Sequence, residues 1–263
     1  IQLVSAGTSA AITQTGTTTA EALLATGATG GSLKVSSSDT VTLQNQTNDV
    51  QTLAATISTA GKSFNYTDAN ALDIGTVAAA GSVSAPASPA GSGTSASRSS
   101  MSGITTAGGT GGDVKVVVLG TGSSGTLNVN QAINTTPSSA VNGGAVVLEA
   151  GGAITLQTSG TITTTGGTGG ATGGVGGEVF IHHVGTTANA ITLNKAITAK
   201  GGAGTTTGGN GAVVTLQNDN GTILINAGGA VDVSGGTGTT AGNGGTIQLV
   251  SAGTSAAITQ TGT

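Results

Sequence analysis

Short runs in which every second residue is apolar recur along this chain, separated by Gly, Asn and Thr. Five runs share one frame, a Gly-containing turn and then an alternation: GGDVKV (Val114, Val116), NGGAVVL (Val146, Leu148), GGEVFI (Val179, Ile181), NGAVVTL (Val214, Leu216) and NGGTIQL (Ile247, Leu249). The first apolar residues of successive runs lie 32, 33, 35 and 33 residues apart. A period of two over three to five residues, rich in β-branched side chains and bounded by turn formers, predicts half-buried strands, and no window sustains the 3.6 period of a helix. Two further short alternations follow each run, for example AITLQ (Ile154, Leu156) and GTIT (Ile162) after Val146, so each unit predicts three short strands. The stretch TAEALLATG at 19–27 is the one helix-like segment, and it is short enough to cap a corner instead.

Upstream, Ile1, Leu33 (GGSLKV) and Phe64 (KSFNYT) continue the series with steps of 32 and 31, and a step of 50 separates Phe64 from Val114. The long step coincides with SVSAPASPAGSGTSASRSSMSG at 82–103, which breaks the spacing and reads as an insertion. A longer period encloses the short one. Residues 1–17 and 247–263 both read IQLVSAGTSAAITQTGT, an identity at an offset of 246. Residues 1–246 therefore read as one full repeat of about seven coils, and 247–263 as the start of the next. Ile1 has the alternation without the turn before it, so the chain reads as an excerpt of a longer tandem array.

A four-residue strand is not stable alone, and a unit of about 33 residues buries little until a neighbour stacks on it. Stacking in register pairs each backbone with the coils above and below, about 4.8 Å away, and turns each inward position into a column of Val, Leu and Ile. The expected fold is all-β, a right-handed parallel β-helix with three short strands per coil, the hand following from the preference for right-handed crossovers. Gly and Asn are expected at corners that need positive φ. Asn142, Asn210 and Asn243 recur before Gly at one such corner and predict a stacked amide ladder.

Composition agrees with a thin repeated core. Among 263 residues there are 49 Gly, no Cys, no Trp, one Tyr and two Phe, and only 6% are charged. The net charge of −4 offers no basic field for nucleic acid. No apolar run approaches the roughly 20 residues that span a bilayer. The absence of Cys removes thiolate chemistry and fits a product exported through an oxidising compartment.

Two blocks, NDVQTLAATI at 48–57 followed by FNYTDANALDIGTV at 64–77, together with GGAVVLEAGGAITLQTSGTITT-type units at 143–164, resemble the filamentous-haemagglutinin-like family of giant bacterial surface adhesins and fibres. The resemblance implies an extracellular or cell-surface filament, whose partners are further copies of itself stacked end to end, or bundled laterally, and other cells or surfaces. It also allows the stalk of an adhesin that carries its binding domain elsewhere.

Candidate chemistry is sparse, and no catalytic residue, cofactor or metal site is predicted. A polysaccharide-active β-helix needs clustered carboxylates, yet the chain has seven Asp and three Glu; Asp68 and Asp73 lie five residues apart, and Asp113 and Lys115 share a strand face. His182 and His183 are adjacent on a strand and point to opposite faces, which prevents shared chelation. GGTGGDVKV at 108–116 is an isolated, imperfect match to a calcium nonapeptide. Thr runs at 161–165 and 205–207 do not recur at one position in every coil, as an ice-binding face would require. Asn45, Asn65, Asn134 and Asn220 stand in glycosylation sequons. The insertion carries Arg98 and Met101, the sole Arg and the sole Met, and is the candidate contact loop.

Overall fold

The computed structural model describes residues 1–5, 10–26, 30–79, 99–110, 112–157 and 159–262. Within them the chain is all-β, and its strands pair almost entirely in parallel. Three ladders account for the pairing. Ladder one is an eight-stranded sheet of Ile12–Thr13, Val41–Leu43, Phe64–Asp68, Val114–Thr121, Val146–Gly151, Val179–His183, Val213–Asn218 and Thr246–Ser251. Ladder two runs from Leu72–Ile74 through Leu127–Val129, Ile154–Leu156, Asn189–Leu193 and Gly221–Ile225 to Ala257–Gln260. Earlier in the chain, a separate pair, Leu24–Ala25 with Asp49–Val50, takes the same place between ladders one and three.

Ladder three begins with Gln2–Ser5, Ser32–Ser37 and Thr52–Ile57, and continues through Ile104–Thr106, Ile133–Asn134, Ile162–Thr163 and Ile197–Thr198 to Val231–Asp232. The strand Thr52–Ile57 joins ladders two and three into one 14-stranded sheet, because its start pairs with Asp73–Ile74 and its end with Ile104–Thr106. The chain visits ladders one, two and three in that order, again and again, a pattern consistent with a β-helix.

The register explains the burial. Val41, Phe64, Val114, Val146, Val179 and Val214 form one inward column of ladder one, and Leu43, Tyr66, Val116, Leu148, Ile181 and Leu216 form the next. All twelve are buried, and they join the Leu and Ile columns of the other ladders in one hydrophobic cluster. Each such side chain contributes about 1.5–3 kcal/mol by leaving water, which is how a chain so poor in aromatics holds a core.

Two expectations need correction. Leu33 does not stack on Phe64: it pairs with Leu53 in ladder three, whereas the partners of Phe64 are Val41 and Val114 in ladder one. The reason is a short circuit of 23 residues from Val41 to Phe64, which places a ladder-one strand at Val41 where the long spacing predicted none. Ile247 and Leu249 continue the two columns in register, but Ile247 is 45% exposed and Leu249 only partly buried, because no strand among the described residues pairs on their far side. The segment at 19–27 takes the corner form of the two offered by the sequence, with a 3-10 turn at Thr19–Glu21 before the strand Leu24–Ala25.

The insertion leaves and re-enters the ladders at one point. Gly103 N donates to the carbonyl of Gly75 at 2.9 Å, and Thr76–Val77 pairs antiparallel with Met101–Ser102 as the stem of an excursion. The excursion thus starts at Thr76, earlier than the spacing suggested. Without it the circuit from Phe64 to Val114 is as short as the one before. Met101 is a half-buried stem residue, and Arg98 lies outside the described residues.

Candidate functional site

The corner between ladders three and one carries the most specialised construction. Here Gly-rich loops at 165–176, 200–211 and 234–244 stack on one another. A continuous chain of backbone hydrogen bonds climbs through them: Gly167 N to Val141 O, Gly174 N to Gly167 O, Gly202 N to Gly174 O, Gly209 N to Gly202 O, Gly236 N to Gly209 O and Gly242 N to Gly236 O, all at 2.8–2.9 Å. None of these six glycines has positive φ. A Cβ on Gly202 would run into the carbonyl oxygen of Gly167, one on Gly236 into that of Gly202, and one on Gly242 into that of Gly209. Close approach of backbones, more than unusual dihedrals, sets the need for glycine here. At the loop tips, Thr172, Thr207 and Thr240 are bridged in parallel.

The corner asparagines do not form an amide ladder. Asn142 Oδ1 accepts from Val175 N at 3.0 Å, and Asn210 Oδ1 accepts from Asn243 N at 2.9 Å. Stacked amides would need an Asn in every circuit, and Val175 interrupts the series. Asn142 and Asn210 instead satisfy a backbone donor of the next circuit.

At the corner between ladders one and two the interior is polar. Asn48 and Asp68 are fully buried. Asn48 Nδ2 donates to the carbonyls of Leu43 and Thr67 at 3.3 and 3.2 Å, while its Oδ1 accepts from Leu23 N at 2.8 Å. Asp68 accepts from Tyr66 OH at 2.6 Å, Val50 N at 3.1 Å and Asn70 N at 2.9 Å. Burial nevertheless dominates and pushes the Asp68 carboxyl up to about 6. Tyr66 is pushed up as well, by burial and by the adjacent Asp68.

Asp73 is not brought to Asp68. It faces a surface groove of about 510 Å³ lined by Thr26, Asp49, Gln51, Asn70, Asp73 and Asn128, among others. Both groove carboxylates are engaged: Asn70 Nδ2 donates to Asp49 Oδ2 at 3.0 Å, and Asn128 Nδ2 to Asp73 Oδ1 at 2.9 Å. Such a surface presents hydrogen-bonding groups to a polar ligand.

The two histidines diverge. His182 lies outward, with Nε2 3.0 Å from Asp219 Oδ1 and its ring 5.3 Å from that of Phe180. His183 is fully buried, its Nδ1 2.8 Å from Asn218 Oδ1. Asp113 Oδ1 accepts from Ala145 N at 2.8 Å, and Lys115 pairs with Glu149 of the next circuit at 3.3 Å. No cluster of three or more His, Cys, Asp or Glu suited to a metal ion occurs among the described residues.

No protein-family model, curated protein or solved structure matches this chain. No helix among the described residues is long and apolar enough to cross a membrane.

Proposed function

We propose that the three ladders wind into a right-handed, three-sided β-helix, and that the chain is a structural repeat of an exported bacterial filament or surface fibre, followed by the start of the next repeat. The observation that carries this reading is the behaviour of the returning 17-residue segment. Its two strands extend ladders one and two in register, Ile247 on Val214 and Ile258 on Ile223, so the returning segment adds a further circuit to the ladders that precede it. A repeat that continues the ladders of its predecessor in register builds circuits of the same kind.

The construction favours stiffness over chemistry. Within each ladder the interior strands are tied to neighbours on both sides, and the glycine chain locks one corner. The lack of Cys and the low charge suit a long exported polymer. Electron microscopy of material sheared from the cell surface tests the reading. Abundant uniform fibres support it; sparse single stalks ending in a distal knob would replace it with the stalk of an adhesin.

A further inference from the structure

We infer that consecutive copies of the 246-residue unit are related by one third of a turn about the filament axis, so that each feature of the unit faces three directions in succession. The inference rests on the reading that the unit recurs in one continuous β-helix. Its source is a mismatch between sequence and position. The identical segments at 1–17 and 247–263 do not occupy the same ladders. At the start, Gln2 pairs with Lys34 and Leu3 with Val35 in ladder three, and Ile12 pairs with Val41 in ladder one. At the end, Ile247 pairs with Val214 in ladder one, and Ile258 pairs with Ile223 in ladder two. Both strands of the segment have moved on by one ladder, in the same sense.

The circuits between them account for the shift. Among the described residues, ladder three is visited at 2–5, 32–37, 52–57, 104–106, 133–134, 162–163, 197–198 and 231–232, which is seven full circuits. The chain then passes one more corner before the segment returns at Thr246. The short circuits are what make the count depart from a whole number. Had Leu33 stacked on Phe64, the unit would close after seven circuits and successive copies would superpose by translation.

The continuation is fixed by the pairings already made. Ser32–Ser37 lies on Gln2–Ser5, so the equivalent strand of the following copy must lie on Thr246–Ser251. Ladder one of one copy thereby runs into ladder three of the next, and ladder two runs into ladder one. Each copy advances the axis by about 35 Å, and the arrangement returns to its starting azimuth after about 105 Å, at the strand spacing of about 4.8 Å per circuit. The excursion at Thr76–Ser102, the polar groove and the glycine corner each step round the filament by 120°. A filament of this kind has no unique side.

Cryo-electron microscopy of a chain carrying three successive copies tests this. A continuous rod whose copies superpose after a rotation of about 120° and a rise of about 35 Å is the expected result. A continuous rod whose copies superpose by translation alone overturns the inference and leaves the filament reading standing, whereas separate bodies with no continuous ladder overturn both. A second measurement uses the present chain, which has no cysteine of its own. The pair Ser36→Cys and Thr56→Cys, register partners in ladder three, should form a disulfide on mild oxidation. The pair Ser36→Cys and Thr67→Cys, neighbours only if Leu33 stacked on Phe64, should not; the reverse outcome sinks the proposal.

Discussion

Thr164 Oγ1 donates to the carbonyl oxygen of Gly177 at 2.6 Å, and Gly177 N donates back to the carbonyl oxygen of Thr164 at 2.6 Å. This reciprocal clasp closes the corner between ladders three and one beneath the glycine loop at 165–176. Thr135 and Gly144 repeat it one circuit earlier, at 2.6 and 3.1 Å, and Thr106 Oγ1 reaches Gly112 O at 2.6 Å before that. In the following circuit Ala199 and Ala212 keep only the backbone half, at 2.9 Å. The clasp lets loops of different length leave the corner while the ladders stay in register.

Removing the hydroxyl while keeping the shape isolates its contribution. Thr164 is fully buried, so Thr164→Val takes a hydrogen bond from a site that water does not reach. The expected cost is about 1–3 kcal/mol. The outward neighbour Thr163 is only half-buried, and Thr163→Val should change stability by about 0.5 kcal/mol or less. Urea unfolding followed by far-UV circular dichroism measures both; equal effects would mean that the clasp contributes nothing.

Glycine at the stacked corner is required for space. Gly202→Ala places a methyl group against the carbonyl oxygen of Gly167 and breaks the bond chain at its middle. A loss of about 1–3 kcal/mol follows from forced backbone displacement. Thr237→Ala, at an exposed position of the next loop, should be close to neutral. Melting temperatures that fall equally for the two variants would show that backbone packing at the corner is unimportant.

The ladders were legible because strand burial is written directly in alternation: Val114, Val146, Val179 and Val214 announce one column by spacing alone. The first circuits misled for a physical reason. A column requires only that an apolar residue arrive at the right corner, and Leu33 and Val41 both begin runs that satisfy this. The spacing of 31 between Leu33 and Phe64 matched the later period, although the chain had taken a shorter route through Val41. The glycine chain was hidden because composition records that glycine is frequent, not whether φ or close approach demands it. One signal was available for the clasp. Thr106, Thr135 and Thr164 each stand two residues after an inward Ile, and a Gly stands two residues before the next inward Val. Val175 in the Asn place likewise argues against an amide ladder.

The excursion should be separable from the ladders. Gly75 and Gly103 are already hydrogen bonded to each other, so the chain can cross from one to the other without the residues beyond the stem. Replacing residues 79–99 by an Asn-Gly turn keeps the stem pairs Thr76 with Ser102 and Val77 with Met101. It removes the bond from Lys34 Nζ to Ser99 O, 2.7 Å long. The expected change in stability is about 1 kcal/mol or less, with an unchanged β-sheet spectrum, since surface loops tolerate changes in length. Loss of the β-sheet signal would mean that the excursion is part of the fold and not an addition to it. If the folded variant also fails to bundle where the parent filament bundles, the excursion is the lateral contact.

Acid should stabilise the chain through Asp68 before it destabilises it elsewhere. The folded-state value is about 6, above the ordinary 3.8, so the native protein holds a proton between these limits that the unfolded chain has released. Stability therefore falls as pH rises through this window and is recovered as pH is lowered from 7 towards 4. The shift corresponds to about 3 kcal/mol at most. Opposing groups act below that window. Lys62 and the Thr40 amide hold Asp39 below its ordinary value, and the Ser234 amide, with Lys200, does the same for Asp232. The stability these two groups give is present above their ordinary value and is lost as pH falls below about 4. A maximum near pH 4–5 in the melting temperature is expected, with a decline on both sides. Asp68→Asn cannot titrate and should flatten the decline between pH 4 and 6 while leaving the loss below pH 4 in place. A variant that keeps the parent slope across that interval would show that the buried carboxyl at the corner of ladders one and two is not its origin.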